Sequence, residues 1–152
     1  MDWSTKLAAG QTLAVLNDVN KLLNACWASS GYAVCPDSLL LPPAQYSALQ
    51  VPVTSAGSIS IMEYISKNSL SNSINGKPLR IDPVKWLYQR GASTKDRAVA
   101  YTKDKNRVRF PLVPLQRTPL EYRGIHQMTT YYGRIGVVEF VYPETVRYMD
   151  GI

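Results

Sequence analysis

Apolar positions recur at three- and four-residue steps from Leu7 to Trp27, through Leu13, Leu16, Val19, Leu23 and Cys26, and this spacing predicts one long amphipathic helix. Asn17, Asp18, Lys21 and Asn24 fall largely on the other side, which should be wet. Ser4 or Thr5 is placed to cap the helix and Gly31 to end it. Leu39-Leu40-Leu41 reads as a short buried strand, after which Pro42-Pro43 opens another helix, where proline is tolerated in the first turn. Ser58 or Ser60 caps a further helix; Ser60 and Glu63 have capping-box spacing, and Met62 with Ile65 supplies an inward stripe. Ser66 to Gly76 is polar and turn-rich, so an exposed loop is expected, followed by a short strand from Leu79 to Ile81 that Asp82-Pro83 closes.

The second half reads as strands. Ala98 to Tyr101 and Val108 to Phe110 flank the polar turn Thr102 to Asn106, which predicts a hairpin with Arg107 and Arg109 facing outward and Phe110 inward. Pro111, Pro114 and Pro119 make the next stretch an extended, edge-like connection. A strand from Ile125 to Tyr132, a turn bracketed by Gly133 and Gly136 and carrying Arg134, and a return strand from Val137 to Tyr142 predict a terminal hairpin. Pairing should stop at Pro143, leaving a short tail. Helices and strands mix without regular alternation, which argues α+β over a doubly wound sheet.

Composition adds little to that class. A chain of 152 residues with 45% apolar content is one domain by ordinary priors and buries a core without staples. Ten tyrosines against two phenylalanines suit contact surfaces as well as half-wet core edges. No apolar run is long enough to cross a bilayer, and no signal-peptide pattern is present. Cys26 and Cys35 are the only cysteines, and two reduced thiols fit better than a structural disulfide.

Charge is uneven. Lys77 to Arg123 holds twelve Lys or Arg and four Asp or Glu, a net of +8, whereas the remainder is net −2. Such a stretch suits contact with phosphate or with the acidic surface of a neighbouring copy, or it is a solvated loop with no partner. Catalytic chemistry is missing. His126, the single histidine, lies mid-strand without a nucleophile beside it, and two cysteines nine residues apart do not close a metal shell. Gly133 and Gly136 lack the lysine and helix of a phosphate loop. Glu139, Glu144 and Asp150 carry no sign of a paired-acid site. No catalytic residue, cofactor, metal or small-molecule substrate is expected.

Three blocks carry a family resemblance. The first is Tyr131 to Ile152, with its arginine turn, second strand, Tyr142-Pro143-Glu144-Thr145-Val146 and final Asp150-Gly151-Ile152. The second is Pro36 to Leu49, a strand running into prolines and a short helix. The third is Gly91 to Tyr101, with Asp96-Arg97 ahead of a strand. Together they resemble the major capsid proteins of tailed bacteriophages and prophages, the Hong Kong-type or Johnson fold. The resemblance implies a structural protein that self-assembles, through pentamers and hexamers of the subunit, into an icosahedral shell around double-stranded DNA. It implies a location in the virion, the host cytoplasm before assembly, and non-specific contact with packaged DNA. It also implies a truncated fold: residues 1–30 an opening helix, 31–119 an axial-type domain, and 120–152 the terminal hairpin of the peripheral domain. Family members are about twice as long, so a trimmed or remnant C-terminal half is expected. The expected interface residues are Lys103, Lys105, Arg107 and Arg109 on the basic hairpin and Arg134 at the final turn. The competing reading is a small basic nucleic-acid-binding module, with Tyr101 and Phe110 stacking bases between those cations.

Overall fold

The computed structural model describes residues 3–53 and 59–152. The chain divides into two compact units, one formed by residues up to Lys103 together with Tyr142–Ile152, the other by Asp104–Val141.

The first unit holds the core. Helices α1 (Trp3–Ala8) and α2 (Thr12–Ser29) replace the single opening helix. They part at Gly10, whose φ of +68° turns the chain at little cost for a residue without a side chain. The reversal lays Lys6 against Asp18, and the two form a salt bridge with the carboxylate nearly out of solvent. Asp18 is therefore buried rather than on a wet face. Gly31 ends α2 as expected, its N–H donating to Ala28 O.

A four-stranded sheet packs beside α2 in the order β10 (Val146–Asp150), β3 (Arg97–Tyr101), β1 (Ser38–Leu41) and β2 (Arg80–Pro83). β1 runs parallel to β2 and antiparallel to β3, and β10 is antiparallel to β3. Pro83 sits on the edge strand, the place where a missing N–H is harmless. Pro42 and Pro43 open α3 (Pro43–Ala48) as predicted. Ser60 caps α4 (Ile61–Asn68), accepting from Glu63 N at 3.1 Å; Ser58 lies outside the described residues. Glu63 turns to Lys67 instead of closing the capping box.

The stretch expected as an exposed loop, Ser66 to Gly76, is the end of α4 and a further helix, α5 (Leu70–Asn75). Its small hydroxyls are the reason: Ser69 and Ser71 are fully buried, and Ser69 donates to Ser66 O while Ser71 accepts from Asn75. Val15, Val19, Leu23, Leu39, Leu41, Leu49, Ile65, Leu79, Ala98 and Ala100 close the core between helices and sheet. Both cysteines are free and buried. Burial pushes the Cys26 thiol up to about 11, with a small opposing pull from Arg147.

Two predicted hairpins do not form. β3 lies between β1 and β10, so Ala98–Tyr101 does not pair with Val108–Phe110, and Phe110 is exposed. Pairing also resumes after Pro143: the expected tail is β10, an edge strand of the core sheet.

The second unit is a single antiparallel ribbon. β4 (Val108–Arg109) pairs with β9 (Glu139–Phe140), β5 (Leu112–Arg117) with β8 (Tyr131–Ile135), and β6 (Glu121–Arg123) with β7 (His126–Met128). Backbone bonds bridge the gaps, from Gly136 N to Pro111 O and from Thr118 N to Thr130 O, each 2.9 Å. The three prolines mark the interruptions: Pro111 and Pro119 separate the paired stretches, and the register shifts between Val113 and Gln116, around Pro114. The turn is at Gly124 (φ +64°) and Ile125, not at Arg134. Gly133 and Gly136 lie along the ribbon without positive φ, and their role is close approach. A Cβ on Gly136 would meet Pro111 at 2.6 Å.

Candidate functional site

Each arm of the ribbon has about 17 residues, so the arm extends up to roughly 50 Å at the rise of a strand. None of the residues from Asp104 to Val141 is buried. A two-stranded ribbon with no layer against it is marginal in water, yet this one carries a sorted face. Residues directly opposite across a ladder share a face. The pairs Leu112–Ile135 and Arg117–Tyr131 therefore lie together, with Leu115 placed over Gly133, where an added Cβ would meet its methyl at 3.3 Å. Leu115 is 71% and Ile135 72% exposed. The opposite face pairs Val113 with Arg134 and Gln116 with Tyr132. The middle of the ribbon thus has one apolar face ending in Arg117 and one mixed face carrying Arg134.

The expected interface cations are placed unevenly. Lys103 belongs to the first unit, its backbone N–H donating to Asp37 at 2.8 Å. Lys105 is exposed in a turn that Asp104 organises by accepting from Asn106 N at 3.0 Å and from Arg107 N at 2.9 Å. Arg107 lies 3.5 Å from the Asp104 carboxylate, and Arg109 stands opposite Glu139. Lys105, Arg107 and Arg109 thus share the base of the ribbon, where two of the three have an acidic neighbour. Arg134 is farther along, within a strand, and has no carboxylate opposite it.

Sequence reasoning missed a second surface, on the first unit. Between β2 and β3 the chain puts Gln89, Ser93 and Thr94 at φ of +52° to +56°, a region that residues with a side chain rarely adopt and that costs about 1 kcal/mol or more each. The loop is pinned. Asp96 accepts from Gln89 N at 2.8 Å, and Asp150 accepts from Ala92 N at 2.9 Å while Arg97 grips it with two bonds of 2.6 and 2.9 Å. The strained loop follows a 3-10 turn that displays Trp86, 69% exposed with Lys85 over its ring, and Tyr88. A pinned, strained backbone presenting a tryptophan and a tyrosine has the make-up of an interaction hot spot.

Asp150 ties this surface to pH. The Arg97 side chain, and then the Ala92 N–H, hold its carboxyl below the usual carboxylate range. A carboxyl lowered on folding contributes stability that is complete above about pH 4 and is lost as pH falls through the lowered value. Asp150→Asn should therefore lower the thermal midpoint at pH 7 and flatten its decline towards pH 3. Equal midpoints for both proteins at pH 7 would contradict the pinning role.

Among the described residues no group of His, Cys, Asp and Glu is arranged to hold a metal, and no helix is long and apolar enough to cross a membrane. The major capsid protein family matches the sequence over residues 1–152.

The chain belongs to the major capsid protein family. Among solved structures this capsid chain is similar to the capsid of Myoviridae Phage XM1, at 16% identity and a TM-score of 0.64. The likeness covers 90% of this chain and 45% of that one, so it is a likeness of fold over less than half of the longer protein. No curated protein sequence matches it. The mixed α and β architecture is that of part of a phage capsid fold, as the sequence blocks implied. Family and fold are those of a structural protein.

Proposed function

We propose that this capsid chain builds a phage shell by binding copies of itself, and that the ribbon is its principal contact. What supports this reading is the ribbon's sorted apolar face with no buried residue behind it, since a second copy laid on such an arm would bury that face. In this reading the copies form pentamers and hexamers that close into an icosahedral shell around double-stranded DNA. The protein resides in the virion after passing through the host cytoplasm, touches packaged DNA without sequence preference, and has no catalytic role. In this reading the unit with the sheet corresponds to the axial-type domain, and the ribbon, residues 104–141, to the peripheral type.

Support against the nucleic-acid module comes from the strand pairing. Tyr101 and Phe110 do not face each other across a hairpin, so the stacking pair it requires is not assembled there.

Arg134 tests the role of the mixed face. Lacking an opposing carboxylate of its own, it is free to make a two-pronged bond to one on a neighbour. Arg134→Ala in the complete subunit should reduce particle yield, counted by electron microscopy, about tenfold, while the thermal midpoint moves by under about 2 °C. Unchanged particle yield would remove Arg134 from the contact.

A further inference from the structure

We infer that the polar groove along α2 binds polypeptide main chain, and that its occupant is the edge of the distal ribbon hairpin, Thr118–Thr130, of a second copy. This rests on the self-association proposed above.

Asn17, Asn20, Lys21 and Asn24 recur at three- and four-residue steps and so share one face of α2. With Asn68 and Ser73 they line an open cavity of about 510 Å³. A helix face that serves only to meet water is usually built of Lys, Glu, Gln and Arg, which favour helix; asparagine does not. Three asparagines on one face therefore ask for another reason. Asn20 has one, its Oδ1 accepting from Leu70 N at 2.9 Å, and Asn68 donates to Tyr64 O at 2.8 Å. The amides of Asn17 and Asn24 and the ammonium of Lys21 have no partner among the described residues.

The chemistry of the groove narrows its ligand. It has no carboxylate for a metal ion and no ring for a base or sugar, and a single cation is too little for a phosphate backbone. A carboxamide offers one acceptor and two donors, which complement the C=O and N–H of a peptide unit. Asn17 and Asn24 stand seven residues apart, about 10 Å along a helix, the length of roughly three residues of strand.

The second unit supplies such strands. Each side of a two-stranded ribbon is an open edge of unpaired N–H and C=O groups. β6 and β7 are three residues each, matching the groove. The hairpin is held in shape by Thr118 and Thr130, whose backbones and a hydroxyl exchange bonds of 2.9 Å. Glu121 on β6 provides the carboxylate that Lys21 lacks. Groove and edge are different patches of the chain, so the contact is heterologous and propagates into rings or open chains.

The test uses the full chain with Tyr122 replaced by photoreactive benzoylphenylalanine, mixing ¹⁴N- and ¹⁵N-labelled protein before irradiation. Mixed-isotope crosslinks from position 122 into Thr12–Ser29 are expected, reduced at least tenfold by Asn17→Ala with Asn24→Ala. Lys21→Glu should reduce them too, and Glu121→Lys should restore them, which separates contact from misfolding. Association with crosslinks mapping elsewhere, single-isotope crosslinks alone, or an undiminished yield in the double variant would overturn this contact and leave self-association standing. A chain that never associates would remove both.

Discussion

Leu115→Asp should weaken association of the capsid chain about a hundredfold while leaving its folded core intact. Leu115 lies over Gly133 on the apolar face that Leu112, Tyr131 and Ile135 share, and it is mostly in solvent in the single chain. An exposed position costs little to change, within about 0.5 kcal/mol. In an assembly the same position loses the burial of a leucine, about 1.5–3 kcal/mol, and adds the cost of drawing a carboxylate out of water. Since each 1.4 kcal/mol is tenfold in an equilibrium constant, association should weaken by roughly a hundredfold or more. Sedimentation velocity reads the effect. A Leu115→Asp variant that associates as the parent does would move the contact to the other face.

Lys6→Ala should destabilise the first unit strongly, although Lys6 itself is no part of the apolar core. The Asp18 carboxylate is 3% exposed, and Lys6 is its partner across the turn between α1 and α2. Removing the ammonium leaves a buried charge uncompensated, which costs about 3 kcal/mol. That is a large share of the roughly 5–15 kcal/mol that holds a typical domain. Replacing both residues by leucine should recover most of the loss, because two apolar groups need no partner. Urea unfolding followed by circular dichroism distinguishes these outcomes. A single variant within about 0.5 kcal/mol of the parent would show that water already reaches Asp18.

Local punctuation was readable in the sequence, whereas strand partners were not. Gly31, Pro42-Pro43 and Ser60 act where their chemistry requires, because caps and stops depend on the nearest few residues. A period of two identifies a strand but not its neighbour. The stretch holding Arg134 therefore looked like the turn of a terminal hairpin, although it is a strand that pairs with β5 from farther back. Gly133 and Gly136 misled because glycine serves close approach as well as turns. Ser69 and Ser71 looked wet because hydroxyls usually are, and here each finds a partner inside. The strained loop gave no signal at all: Gln89, Ser93 and Thr94 are not residues that announce a left-handed backbone. The family itself was legible from short blocks at the end, middle and beginning of the chain.

Hydrogen exchange of the ribbon amides, compared between the single chain and assembled particles, shows whether the ribbon is covered by another copy. Amides from Arg107 to Val141 should exchange within seconds in the free chain and at least a hundredfold more slowly in particles, while those of β1 and β3 stay protected in both. Ribbon amides already slow in the free chain, or equally fast in particles, would contradict the claim that this arm gains its cover from another copy.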